Sequence, residues 1–295
     1  MREFANLKGF ARTVSDLLLS DRDVTVGVAG FTGEGKTTFA TKLARAYCEI
    51  MKLEWTFSYM TWSRKEMMRW IDGEGKEKEG RLPEYSVIIP DELFLMFYRR
   101  NWYENSQVDA IGTLNMCRDR HLFIIGNVPN LWDLDSAFLS RIRFYVYIPE
   151  RGKAWVFQQE NNPFGNDPWN VNENRKIFRK EKNPFKCPNF VCEIAFDDWD
   201  EKEKAEYYNI RNEKRIMAIK EVQNARGLRA KKMFIARRRL IKWIYSSLFF
   251  ENDKGEYVRP TQAMIAEYGL LFPEQVSDIT QAEMPEYFSD SSDSE

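Results

Sequence analysis

The sequence predicts an α/β fold: a mostly parallel sheet flanked by helices, followed by a helical C-terminal region. Three observations predict it. Strand-like and helix-like segments alternate from about residue 23 to Gln159. The strand candidates include short apolar runs such as "VTVGVA" and "VIIP", which suit strands covered on both faces. A Gly-rich loop joins the first of these runs directly to a helix, a strand–loop–helix order that belongs to parallel sheets.

Taken in order, Phe4, Leu7, Phe10, Val14 and Leu17 recur at steps of three and four, so residues 1–22 form an N-terminal helix with one buried face. Val24–Ala29 reads as a buried strand, Lys36–Ile50 as a helix and "EWTFSYM" as a second, aromatic-rich strand. Ser63 followed by Glu66 forms a capping box ahead of "RKEMMRWI", and the polar run "DGEGKEKEGRLPE" is an exposed loop. "YSVIIP" is a third strand, "VDAIGTLNMC" a helix, "HLFIIGN" a fourth strand and "FYVYI" a fifth, continued through "PERGK" into a hairpin with "AWVFQ". These elements make a core over residues 23–160. Residues 161–197 are rich in Asn and Pro and read as a linker or surface excursion. Residues 198–288 are expected to be helical and partly basic, with Asp198 or Asp200 as N-cap, and 289–295 form an acidic, solvated tail.

Composition sets the outer bounds. The chain has 295 residues, 43% hydrophobic and 30% charged, enough for one large domain or a medium one with an appendage. A net charge of -1 means that affinity for nucleic acid must come from a local patch. Cys48, Cys117, Cys187 and Cys192 are few and scattered, which fits a reducing compartment and ordinary thiols better than a disulfide framework or a zinc site. No apolar run approaches the ~20 residues of a membrane span. The expected location is therefore cytoplasmic, in the host cytoplasm for a viral protein.

The chemistry concentrates in "GFTGEGKTT", Gly30–Thr38. Gly30, Gly35, Lys36 and Thr37 complete G-x-x-x-x-G-K-[ST] between a strand and a helix. Glycines let the loop's N–H groups (Gly30, Phe31, Thr32, Gly33, Glu34, Gly35, Lys36, Thr37, Thr38) converge on phosphate oxygens, and the helix N-terminus adds its own attraction. Lys36 would neutralise the β- and γ-phosphates while Thr37 offers its hydroxyl to Mg²⁺. In "VIIPDELF" an apolar strand ends in Asp91 and Glu92: the first suits the Mg²⁺ shell and the second suits activation of water, although an acidic pair there could also cap a helix. No N-K-x-D run is present, and the third strand ends in Asp-Glu-Leu-Phe rather than in D-x-x-G, so ATP is favoured over GTP.

"GFTGEGKTT", "VIIPDE" and "HLFIIGNVPNLWDLDSAFLSRIRFYVYI" together resemble the P-loop ATPases with an additional strand and a catalytic glutamate, in the branch of FtsK- and HerA-like DNA pumps, Zot-like phage assembly proteins and viral genome-packaging ATPases. The resemblance covers about the first half of the chain. It implies a polar sensor at the end of the strand after "VIIPDE", often Gln, where this chain has Asn127; a strand-end Asn is equally a turn former. It also implies rings in which one subunit's arginine completes its neighbour's site. Arg118 and Arg120, or Arg141 and Arg143, are the candidates, with Arg118 first.

Between Arg226 and Lys242 there are eight Lys or Arg and no Asp or Glu. Met233, Ala236, Leu240 and Ile244 recur at helical steps, which turns the cations outward. Arg229, Lys231, Lys232, Arg237, Arg238 and Arg239 are the candidate DNA contacts, a solvated helix or one docked on an acidic neighbour being the alternative. "TQAMIAEYGLLFPEQVSDI" has a helix-turn-helix look but carries no cation, so a structural or partner-docking role is expected. The expectation is a homo-oligomeric ATP- and Mg²⁺-dependent ring that moves or packages DNA, with a capsid or assembly protein as a further partner. A small-molecule kinase, or a nucleotide switch without turnover, is the alternative.

Overall fold

The structure, a computed structural model, describes residues 6–101, 104–160, 167–218, 220, 235, 250–251 and 257–258. The chain divides into two compact units, Met1–Ala218 and Ile219–Glu295. Of the second, the described strands are β8 (Phe250–Glu251) and β9 (Tyr257–Val258), an antiparallel pair. The basic segment with the candidate DNA contacts (Ile235 apart), the helix-turn-helix-like stretch and the acidic tail lie outside the described residues.

The first unit is built on seven strands: β1 (Val24–Gly30), β2 (Met60–Thr61), β3 (Val87–Pro90), β4 (Phe123–Val128), β5 (Ile142–Glu150), β6 (Lys153–Gln158) and β7 (Phe190–Ala195). They lie in the order β2-β3-β4-β1-β5-β6-β7. The first five are parallel, and β6 and β7 add an antiparallel extension. β4 sits between β1 and β3, so the strand carrying the Gly-rich loop and the strand ending in the acidic pair are separated by one inserted strand.

Apolar helix stripes cover both faces. On one side α1 (Leu7–Leu19) and α2 (Lys36–Met51) bury Phe10, Val14, Leu18, Phe39, Leu43 and Tyr47 against Val26, Phe144 and Val146. On the other, α3 (Arg64–Asp72), α4 (Leu93–Met96), α5 (Asn105–Met116) and α6 (Ser136–Leu139) bury Met67, Ile71, Leu93, Leu114 and Phe138 against Ile88, Ile124 and Ile142. Caps set the helix starts. Ser63 Oγ accepts from Glu66 N at 3.1 Å, as the sequence predicts, and the Asn6 side chain, a cap that the apolar spacing did not predict, accepts from Gly9 N at 2.8 Å.

Two stretches differ from the sequence expectation. "EWTFSYM" is mostly not strand: Thr56 Oγ1 accepts from Ser58 N at 3.2 Å and closes a 3₁₀ turn over Phe57–Tyr59, leaving only Met60 and Thr61 to pair with β3. The Asn/Pro-rich stretch read as a linker or excursion carries α7 (Val171–Glu181) and the edge strand β7. Its asparagines do structural work: Asn189 Nδ2 donates to Gln158 O at 2.8 Å and Pro168 O at 3.1 Å, stitching the excursion to β6. After β7 the chain enters a further helix, α8, over residues 201–218. It opens on a reciprocal capping box: Asp200 Oδ1 accepts from Glu203 N at 2.7 Å while Glu203 Oε2 accepts from Asp200 N at 3.0 Å.

Candidate nucleotide site

The parallel strands bring the functional residues to one end of the sheet, where β1, β3 and β4 all terminate. β1 leaves the sheet at Gly30, whose φ is +150°; a Cβ there would lie 2.6 Å from Ile148 O, so the close passage of loop and β5 requires glycine. Gly35 takes a left-handed conformation (φ 92°, ψ 24°) as the N-cap of α2 and turns the loop into the helix. Lys36 then folds back, its Nζ donating to Gly30 O at 2.8 Å and Phe31 O at 2.9 Å. Burial lowers its pKa, opposed by the charges of Glu92, Asp91 and Glu34. Phe31, at the loop's tip, is 74% exposed.

β3 ends at Pro90 and delivers Asp91 beneath the loop, with Asp91 N donating to Thr61 O on β2 at 2.9 Å. Asp91 is buried and its two oxygens gather three donors. Thr37 Oγ1 reaches Oδ1 at 2.9 Å, Asn127 Nδ2 reaches the same oxygen at 2.6 Å, and Tyr207 OH reaches Oδ2 at 3.2 Å. Asn127 lies within β4 beside Val28, so it is a strand residue aimed at the acid rather than a turn former. Its Oδ1 is buried and has no hydrogen-bond partner among the described residues. Glu92 is half-buried; burial and then the adjacent Asp91 charge raise its pKa, while Lys36, Arg211 and Arg215 pull the other way.

Lys36, Thr37, Asp91, Glu92, Asn127 and Tyr207 line a cavity of about 280 Å³ together with Thr32, Gly33, Gly35 and Thr38 of the loop, whereas Gly30, Phe31 and Glu34 of the expected cradle are not in its lining. The donor set fits a magnesium–nucleotide: a hydroxyl and a carboxylate 2.9 Å apart, a lysine at the head of a helix, and a buried amide with a free acceptor. Thr37 and Asp91 would hold the Mg²⁺, which when bound offsets the charge of the phosphate oxygens. The loop N–H groups and Lys36 would cradle the phosphates, and Glu92 can take a proton from water.

Several lining residues were not legible in the sequence. Arg151, from the β5–β6 turn, and Trp199, Tyr207, Tyr208 and Arg211, from the start of α8 and the segment before it, close the other side of the cavity. α8 is fastened over α2 and α3. Trp199 Nε1 donates to Thr41 Oγ1 at 2.8 Å, Glu203 pairs with Lys42 at 3.2 Å and with Arg45, and Lys214 pairs with Glu66 at 3.0 Å. Residues 203, 207, 210, 214 and 218 face inward, but two of the five are charged, so the helix shows no apolar stripe in the sequence. The aromatic Trp199 and Tyr207 in an otherwise charged segment were the available signal.

The arginines sit elsewhere. Arg118, whose side chain is 66% exposed, donates to Asp23 Oδ2 at 2.9 Å, and Arg141 reaches the same oxygen at 3.0 Å. This cluster lies where β1 and β4 begin, the end of the sheet away from the chain's own Gly-rich loop. Arg120 is buried and donates to the backbone oxygens of Ile71 and Leu82, a structural position.

A scan against protein-family models finds no match, and a search of curated protein sequences finds none. Among solved structures, the FIGL-1 AAA domain is similar at 17% identity over 47% of this chain and 51% of that chain, with a TM-score of 0.31; the chain thus spans about half of that relative's length. The genome packaging NTPase B204 from Sulfolobus turreted icosahedral virus 2, in complex with ATP-gammaS, is similar at 12% identity over 46% and 92% of the two chains (TM-score 0.33). The N-terminal domain of zonular occludens toxin from Neisseria meningitidis is similar at 16% identity over 61% and 96% (TM-score 0.37). Likeness this loose leaves the weight on the chain's own topology. No helix among the described residues is long and apolar enough to cross a membrane. With a Gly-rich loop between β1 and α2, an Asp-Glu pair ending β3 and a strand inserted between the two, the chain has the P-loop NTPase fold with the additional strand.

Proposed function

We propose that the chain is an ATP-hydrolysing motor that moves or packages DNA as a homo-oligomeric ring. The observation that carries the hydrolytic part is the convergence of Thr37 and Asn127 on Asp91, with Glu92 beside it and Lys36 above. In this reading Lys36 neutralises phosphate charge, Thr37 and Asp91 hold Mg²⁺, Glu92 accepts the proton of the attacking water and Asn127 senses the terminal phosphate. Arg118 acts on a neighbouring subunit's site, which its exposure and its distance from its own loop permit.

The DNA part is supported by the basic run Arg226–Lys242 in the sequence, with Arg229, Lys231, Lys232, Arg237, Arg238 and Arg239 meeting phosphates. A capsid or assembly protein is the proposed docking partner of the cation-free C-terminal stretch. The test is ATP turnover with and without duplex DNA, for the wild type and for a variant with Arg237, Arg238 and Arg239 changed to Gln. Acceleration by DNA in the wild type that the variant lacks, at equal basal turnover, supports the motor. Turnover that duplex DNA never accelerates overturns it.

A further inference from the structure

We propose that β5, β6, β7 and α7 form a second site, one that binds single-stranded nucleic acid by taking an unstacked base into an aromatic cavity and its flanking phosphates onto α7. Cross-strand pairing places Tyr145 opposite Phe157 and Tyr147 opposite Trp155. Strand alternation turns all four to the sheet face opposite the one that Phe144 and Val146 present to α1 and α2. The rings form two rungs, with centroids 5.6 Å apart at 25° and 5.8 Å apart at 32°. Trp169, Asn174 and Phe178 close the opposite side of a cavity of about 280 Å³, which shares no lining residue with the nucleotide site.

Two polar atoms beside this apolar cavity are buried without partners among the described residues, and a ligand would meet them once their side chains turn toward it. Trp169 is 4% exposed and its Nε1 has no hydrogen-bond partner among the described residues; Asn174 Oδ1 has none either. The two residues are adjacent, since Asn174 Nδ2 donates to Trp169 O at 2.8 Å. A buried donor and acceptor left unmatched are costly, and the edge of a nucleobase offers one of each.

Charge selects the rest of the ligand. α7 carries Arg175, Lys176, Arg179 and Lys180, all exposed and in no ion pair among the described residues. The segment from Val171 to Lys186 holds six cations against Glu173 and Glu181, and Glu181 is paired with Lys186 at 3.0 Å. Aromatic faces beside a cationic helix match a strand of exposed bases and phosphates. Bases held in a duplex are already stacked and paired, so the cavity discriminates against double-stranded DNA.

The purpose of such a site rests on the DNA-handling function proposed above, but its occupancy needs no ATP. The test is fluorescence anisotropy of the full chain with labelled oligothymidylate, oligouridylate and duplex DNA, without nucleotide, alongside basal ATP turnover. Phe178→Ala, at a residue 42% exposed, should weaken oligothymidylate binding by about tenfold. Trp169→Phe keeps a ring, removes the unmatched donor and should also weaken binding without lowering thermal stability. Arg175→Gln with Arg179→Gln should flatten the salt dependence by ~1.4 in slope. The oligouridylate arm tells RNA from DNA as the strand bound. If oligothymidylate affinity survives all three changes, or duplex DNA binds with the same sensitivity to them, the site is overturned. So is it if the variants alter only the oligomeric state, which would make the face a subunit contact. Absent ATP turnover would defeat the motor without touching this result.

Discussion

Asp91 accepts three hydrogen bonds, and only two of the donors could be traced to the sequence motifs. Thr37 follows from the spacing of the P-loop, and Asn127 was expected through the resemblance to the additional-strand ATPases. Tyr207 comes from 116 residues further along and carries no motif. Tyr207→Phe removes one donor from a buried carboxylate and should cost about 1 kcal/mol of stability in urea unfolding. It should also let ATP bind at lower Mg²⁺ concentration, because Asp91 sheds one fewer partner; an unchanged Mg²⁺ dependence would argue against that contact. Glu92 allows a pH test. Its pKa is raised in the folded chain by burial and by Asp91, so the folded state holds that proton more tightly than the unfolded one. Stability is therefore lost as pH climbs from the ordinary carboxylate value of about 4.3 through the raised one. Glu92→Gln should raise Tm at neutral pH, and the gain should vanish below about pH 4. A gain that persists in acid would mean that the charge is not its cause.

At the scale of elements, local chemistry decided what could be read. α1 declared itself through apolar spacing, α3 through its capping box, and β1, β3 and β4 through short apolar runs. "EWTFSYM" misled because the composition favours strand while the Thr56 hydroxyl closes a turn, a competition that strand propensity does not register. α7 and β7 were hidden by Asn and Pro, residues of loops on average; here Asn183 Oδ1 accepts from Phe185 N at 2.9 Å and Asn189 bonds two carbonyls. α8 was legible as a helix but not as a wall of the cavity, because Glu203 and Lys214 occupy its inward face. Its hold on the site depends on where it starts. Asp200→Ala, which breaks the capping box, should lower stability by about 1 kcal/mol. If the cap also positions Tyr207 and Arg211, the variant should weaken ATP binding although Asp200 is not among the cavity's lining residues; intact affinity would show that Trp199 and Lys214 suffice.

For the whole molecule, the strand order is the feature from which the chemistry follows. Separating β1 from β3 by β4 brings Asn127 into the same cavity as the loop and the acidic pair. The central claim is that Glu92 activates water against a triphosphate held by Lys36 and the loop. It is tested most directly by phosphate release from ATP under Mg²⁺, measured with nucleotide binding, for the wild type, Lys36→Ala and Glu92→Gln. The account predicts turnover by the wild type. It predicts that Glu92→Gln binds ATP but releases phosphate at least ~10²-fold more slowly, and that Lys36→Ala loses both affinity and turnover. Glu92→Gln that releases phosphate at the wild-type rate, or an assembled wild type that leaves ATP intact, would contradict it.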